Sequence, residues 1–465
     1  MRDSTRRTVL FSFAVAILLT LNSIGPVHSV PPPINPEPAS VVIGQPDFTS
    51  YASGNGPGGL SEPEFVAFDH SGDLWVSDYN NSLVAEYNQP FTNGESAALE
   101  VGSASFSTTG CSNTGPSNVC SPNGIAFDQA GNLWVADSEN NSIVEFKAPF
   151  TAGESSSTVI GQYSDGQPNA TNLDQPFGIA FDSSGNLWVA DSSDNRVVEY
   201  KAPLANDESA SLVLGQTSLT SATDNDAQSN MSSPEDIAFD GSGNLWVADT
   251  GNSRVLEFTQ PFSNGERAGL VVGAPNFTSF NGNDTQSTLT LPEAIAFDHS
   301  GNLWVSDSGN SRVIEFASPF TTGMNASRLI GQVSYVYGGP NATQTMLGYP
   351  DGLTFDGSGN LWVADSGFAR VLEYSDPLTY SAASSSTTSS AATTSSPPST
   401  SSVASASSVA TTSSTSSASG GGVPVFPYQF VMAAAFTVVL VASYLLIRRG
   451  SILRGTAGLN ATESF

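Results

Sequence analysis

Residues 122–161 read PNGIAFDQAGNLWVADSENNSIVEFKAPFTAGESSSTVIG, and this stretch decides the fold. An apolar run ends in Phe127-Asp128 and meets a Gly131-Asn132 turn. Leu133-Trp134-Val135-Ala136-Asp137 is a second run, and a polar corner leads to a third, Ile143-Val144-Glu145-Phe146. After Pro149-Phe150 and another Gly turn comes a fourth, Thr158-Val159-Ile160-Gly161. Short runs rich in Val, Ile, Phe and Trp between Gly, Asn and Pro signals read as strands. Four such strands in succession form one blade of a propeller. The early strands are apolar on both faces, as expected of a blade sandwiched between two others.

The unit recurs. Leu-Trp-Val appears at Trp75, Trp134, Trp188, Trp246, Trp304 and Trp362, with spacings of 59, 54, 58, 58 and 58 residues. A fixed period of that size signals a repeat architecture. The first three strands occur six times, but the fourth follows a Trp only five times. The missing copy stands at the front, as Val41-Val42-Ile43-Gly44-Gln45. The chain is therefore expected to be an all-β, six-bladed propeller of four-stranded blades over residues 37–378. The N-terminal strand would complete the sixth blade and remove the open sheet edge.

Pro-x-Gly-Ile-Ala-Phe-Asp, Gly-Asn-Leu-Trp-Val-Ala-Asp and Asn-x-Arg-Val-x-Glu-Phe resemble the repeat of the NHL family over about residues 37–378. That resemblance implies the same propeller and a binding scaffold. NHL-type propellers include sensor domains, protein and RNA binders and an amidating lyase, so the fold by itself names no activity. The repeats exceed a typical blade of ~40–45 residues, and the excess lies in the loops entering each blade.

The ends read as addresses. Residues 1–29 have a basic start, an apolar Val9–Leu21 and the small-residue site Val27-His28-Ser29, the pattern of a secretory signal. Arg6-Arg7 also resembles a twin-arginine motif. Residues 379–424 form a Ser/Thr-rich segment that cannot build a core and reads as a disordered stalk. Residues 425–447 carry no charge over a length able to cross a bilayer as one C-terminal transmembrane helix, and Arg448-Arg449 follow at once. The positive-inside rule puts the tail 448–465 in the cytoplasm, giving a single-pass cell-membrane protein with its propeller outside.

Composition narrows the partners. The chain has 465 residues with 14 Lys plus Arg against 43 Asp plus Glu, a net charge of −29. Six of the basic residues lie at the two ends, so the middle keeps 8 basic against 41 acidic residues, about −33. A surface this acidic repels phosphate backbones, which excludes nucleic acid.

On such a ring the first strands should line the channel, with the long incoming loops gathered at one mouth, where binding residues concentrate. Asp78, Asp137, Asp191, Asp249, Asp307 and Asp365 end the second strand of every blade and are expected to fix a tight corner through Asx-type bonds. Glu86, Glu145, Glu199, Glu257, Glu315 and Glu373 recur likewise, with Arg196, Arg254, Arg312 and Arg370 as expected ion-pair partners. A third ring varies between blades: Glu64, Asn123, Phe177, Glu235, Glu293 and Asp351, with Asp236 beside Glu235. Glu64, Glu235, Asp236, Glu293 and Asp351 are the candidate metal ligands, because carboxylates around one mouth repel unless a cation or a proton sits among them. Ca²⁺ or another hard divalent cation suits oxygen donors.

Catalysis finds less support in the sequence. The His residues are His28 in the signal and His70 and His299 in Gly turns away from the mouth, so neither His-based zinc chemistry nor a Ser-His-Asp triad has its parts there. The residues lean away from an enzyme and toward a cell-surface recognition propeller that takes a surface protein or glycan. The alternative is a divalent-metal-dependent lactonase or lyase acting at the mouth, as in gluconolactonase-like propellers. Cys111 and Cys120 are the only cysteines and are expected to close one loop as a disulfide. Sequons at Asn80, Asn140, Asn169, Asn230, Asn276, Asn283, Asn325 and Asn341 mark candidate glycosylation sites.

Overall fold

A computed structural model describes residues 36–377 apart from 108–116, 162–167, 225, 280–281, 337 and 376. The expected signal, the stalk, the span 425–447 and the tail lie outside the described residues. Among the described residues, no helix is long and apolar enough to cross a membrane.

The strands form six four-stranded antiparallel sheets. Blade one shows the plan: Pro63–Phe68, Leu74–Asp78, Leu83–Tyr87 and Leu99–Val101, paired in chain order. Blade six is built from Pro350–Phe355, Leu361–Asp365 and Arg370–Tyr374, and its outer strand is Val41–Ile43. The closing register is Val41↔Glu373, Val42↔Leu372 and Ile43↔Val371. The N-terminal strand thus locks the ring.

The core consists of six interblade layers. Trp188 of blade three, for example, packs with Ile237, Leu245, Val247 and Leu256 of blade four. Its ring meets Phe239 and Phe262 edge-on, with centroids 5.9 and 4.9 Å away, an arrangement that the ring quadrupoles favour. Trp362 of blade six closes the circle against Phe68 and Phe91 of blade one.

The first strands are innermost, each touching the first strands of both neighbouring blades. They approach so closely that a side chain does not fit at some positions. A Cβ on Gly352 would lie 2.4 Å from Glu64 O, and one on Gly178 would lie 2.4 Å from Asp236 Oδ1.

Candidate functional site at the channel mouth

Every first strand carries a register shift just after its leading proline, between Pro63 and Val66 in blade one and at the matching place in the other five. A bulge re-aims the side chain it carries. The variable ring of Glu64, Asn123, Phe177, Glu235, Glu293 and Asp351 occupies these bulged positions. Pro63 pairs with Asp78 across the sheet, so the ring shares its face with the corner that follows the second strand.

Glu64, Glu293 and Asp351 come together. Each offers a carboxylate oxygen, and these atoms lie within 4.8 Å of one another. The three belong to blades five, six and one, and closure of the ring is what brings blade one beside blade six. They are buried, at 1%, 6% and 3% exposure. Ser308 Oγ donates to Asp351 Oδ1 at 3.3 Å. Next to Glu64, on blade two, Asn123 donates its amide to Ser138 Oγ at 2.7 Å. Its Oδ1 is buried without a hydrogen-bond partner.

The other two candidate ligands are not part of this triad. Glu235 is buried in the same ring on blade four. Asp236 is a brace between blades: Oδ2 accepts Ile295 N–H of blade five at 2.8 Å, and Oδ1 lies against Gly178 of blade three. Burial pushes its carboxyl up to about 7 against backbone hydrogen bonds that lower it.

The invariant Asp ring works differently from the expected corner bond. Each Oδ1 accepts a backbone N–H of the incoming loop, from Ser61 to Asp78 at 2.8 Å and from Gly348 to Asp365 at 2.6 Å. The buried arginines pair with these aspartates and not with the glutamates. Arg196, Arg254, Arg312 and Arg370 donate through Nε to Asp191, Asp249, Asp307 and Asp365 at 2.7, 2.6, 2.6 and 2.7 Å. The reason is register, because Asp and Arg face one another directly across the tight corner. The Asx turns are instead made by the Asp after Phe. Asp128 Oδ1 accepts Ala130 and Asn132 N–H, and its Oδ2 accepts Trp134 Nε1–H at 3.2 Å.

Each arginine also staples two loops. Arg254 reaches Asn230 O in its own incoming loop and Phe277 O in the next. Arg370 does the same with Met346 O and Phe48 O, joining blade six to blade one. Blades one and two carry Leu83 and Ser142 at this position. Burial pushes Asp78 and Asp137 up to about 7 against hydrogen bonds from Asn81 and Asn140, and it raises Asp191 to about 7 even against the Arg196 charge.

His70 and His299 stand exposed in their Gly turns. The Cys111–Cys120 pair has one member, Cys111, outside the described residues. Cys120 is buried, and its amide donates to Asp137 Oδ1 at 2.6 Å. The sequon asparagines are exposed or half-buried.

A family model described as the SMP-30/gluconolactonase/LRE-like region matches residues 63–205 and 204–379. The chain belongs to that family. The NHL-like repeat signature therefore led to the right kind of propeller, while the family shown is this related one. Solved structures with some likeness include a catalytically inactive virginiamycin B lyase from Staphylococcus aureus with quinupristin. It is 14% identical with a TM-score of 0.40, over 71% of this chain and 88% of that one. A gluconolactonase from Xanthomonas campestris is 17% identical with a TM-score of 0.44, over 75% and 99%. A structural genomics protein of unknown function from Bacteroides thetaiotaomicron is 13% identical with a TM-score of 0.46, over 73% and 74%. At such scores these likenesses carry no argument, and the family match stands alone.

That match corrects the lean away from an enzyme and favours the lactonase or lyase alternative, because the family includes gluconolactonase. The sequence offers Glu64, Glu293 and Asp351 as candidate ligands, but their burial and mutual approach arise only on folding, so they weighed less there than the missing His, Cys and Ser sets.

Proposed function

We propose that the chain is a divalent-metal-dependent hydrolase that opens cyclic esters of the lactone class at the propeller mouth. The observation that carries this reading is the buried Glu64–Glu293–Asp351 triad, supported by the family match. Three carboxylates this close in a low-dielectric site need a proton or a cation among them. The donor set fits a hard cation: all oxygen, with Asn123 Oδ1 a neutral, buried and unpartnered oxygen in the adjacent blade. Glu64, Glu293 and Asp351 would hold the ion. When bound, a divalent cation supplies Lewis-acid polarisation of an ester carbonyl.

The chain's own residues do the rest. Three carboxylates outnumber the charge of a divalent ion by one, and that excess would let a triad carboxylate accept the proton given up by the water that adds to the carbonyl carbon. The ring C–O bond then breaks, and its oxygen takes a proton to give the hydroxy acid. The Asp–Arg staples hold the surrounding loops in place before substrate arrives, which is where positioning gains rate.

The test is hydrolysis of a panel of five- and six-membered sugar lactones by the full-length chain. EDTA-treated protein is compared with samples given Ca²⁺, Mg²⁺, Mn²⁺ or Zn²⁺. Metal-dependent ring opening that falls about a hundredfold or more in kcat/KM in Glu293→Gln and Asp351→Asn is expected. Absence of turnover with every metal on folded protein overturns the reading.

The extracellular, membrane-anchored placement, the glycans and the Cys111–Cys120 bridge belong to the same proposal. They rest on the sequence of the two ends, the positions of the sequons and the absence of a free cysteine among the described residues. Accessibility of the propeller to protease on intact cells tests the placement.

A further inference from the structure

A second group of carboxylates lies at the opposite end of blade one. Asp69 and Asp73 belong to the Gly turn between its first two strands, and Glu86 sits on the third strand opposite Trp75. One oxygen from each lies within 4.8 Å of the others, and all three residues are half-buried. In each of the other five blades an amide at this spot donates to the turn aspartate, and in blades three and four it reaches the glutamate as well. Their turns carry Asn where blade one has Asp73. In blade three, Asn186 Nδ2 donates to Asp182 Oδ2 at 2.8 Å and to Glu199 Oε1 at 3.3 Å, bridging the two carboxylates. In blade four, Asn244 does the same with Asp240 and Glu257 at 2.9 and 3.4 Å.

Blade one has lost this bridging donor and others with it. Ser157, Ser211 and Ser327 donate to Glu145, Glu199 and Glu315, but Ala98 holds that place beside Glu86. Lys147 and Arg328 pair with the glutamates of blades two and five, and no basic residue does so for Glu86 among the described residues. Asp69 keeps its turn bonds to Ser71 and Asp73 N–H through Oδ1. Its Oδ2 does not accept the indole, although in all five other blades the Trp donates to this aspartate at 3.1–3.3 Å. Trp75 is 0% exposed, faces the same carboxylate position as its five counterparts, and leaves Nε1 without a partner.

We propose that Asp69, Asp73 and Glu86 bind a Ca²⁺ ion that takes the place of the missing amide group. Two oxygens on one Ca²⁺ at 2.3–2.6 Å are at most about 5 Å apart, so the observed separation admits a shared ion. Calcium commonly keeps water in its shell, and a second water hydrogen-bonded to that shell would give Trp75 Nε1–H the acceptor it lacks. Mg²⁺ suits the spot less, since it demands a tighter octahedron than side chains from a turn and a strand supply. Burial, together with Asp73 and Asp69 beside it, already raises Glu86 above the ordinary carboxylate range. The ion would tie the Gly turn to the third strand of the blade whose Phe68 packs on Trp362, at the seam where the ring closes.

The probe is Tb³⁺, whose emission is sensitised by a nearby indole, with Ca²⁺ as competitor. The full-length chain is compared as Glu293→Gln and as Glu293→Gln/Asp73→Asn, so that the mouth is disabled in both. Asp73→Asn installs the residue the other five blades use, which keeps the fold. The expected result is Trp-sensitised emission displaced by Ca²⁺ in the single variant, weakened at least tenfold in the double variant. A Glu86→Gln change in the same background should weaken it likewise. Equal emission in single and double variants, or none in the single variant, overturns the proposal without touching the lactonase reading.

Discussion

Asp78 and Asp137 end equivalent strands in the two blades that lack the buried arginine. In the unfolded chain each carboxyl sits near 3.8, and folding pushes each up to about 7, with burial as the largest cause. The folded state therefore holds the proton more tightly. Between pH ~4 and ~7 the unfolded chain is ionised while the folded one is not, so stability falls as pH rises through that window and levels off above it. Three units at 1.36 kcal/mol each set an upper value of about 4 kcal/mol per site. Asp78→Asn/Asp137→Asn keeps an oxygen for Ser61 and Cys120 N–H and removes the charge. Urea unfolding at pH 4.5, 6 and 7.5 should show the double variant losing several kcal/mol less than wild type across this range. Parallel curves would mean that these two groups do not drive the loss. Asp191, with Arg196 across its corner, is likewise pushed up to about 7 by burial, so the arginine does not by itself return the carboxyl to the usual range.

At the level of the strand pair, the residue across the corner decides which partner the aspartate has. Asp249 and Arg254 are register partners, and the arginine fans out to carbonyls of two incoming loops. Removing one partner of a buried ion pair costs about 3–5 kcal/mol, because the other charge is left uncompensated. Arg254→Leu copies the arrangement that blade one uses at Leu83. It should destabilise by that amount at pH 7.5 and by clearly less at pH 5, where Asp249 can take a proton as Asp78 does. The same loss at both pH values would assign the effect to the stapled loops alone. The strands were legible because their apolar runs and turns repeat. The pairing was not, since the arginines were assigned to the glutamates one residue before the end of the third strand, and only the register shows them opposite the aspartates. The bulges that aim Glu64, Glu293 and Asp351 inward leave no mark in the sequence beyond a leading proline. The change from Asn to Asp73 was plain in the text of the repeats, and its meaning appears only when Glu86 and Trp75 are seen around it.

For the whole molecule, the count of strands predicted the closure, and the closure makes the candidate site. Residues 41–43 complete the sixth sheet where blade six meets blade one, and the triad spans that seam. Val42 and Ile43 are fully buried there, and burying each contributes roughly 1.5–3 kcal/mol. Gln45 Nε2 adds a bond to Ala369 O at 2.9 Å, and Ser40 Oγ bonds to Glu373 Oε2 at 2.9 Å. A charge placed at Val42 sets these contributions against the cost of burying an unpaired carboxylate, so Val42→Asp should detach the strand and expose the edge of Arg370–Tyr374. Hydrogen exchange would then show amides 370–374 losing protection before those of the blade-three and blade-four strands, which lie across the ring from the break. Metal binding at the mouth should weaken in step, because Glu64 and Asp351 no longer share a closed seam. Unchanged protection at 370–374 with intact metal affinity would mean that the interblade layers alone hold blade six to blade one, and that the N-terminal strand follows the closure instead of causing it.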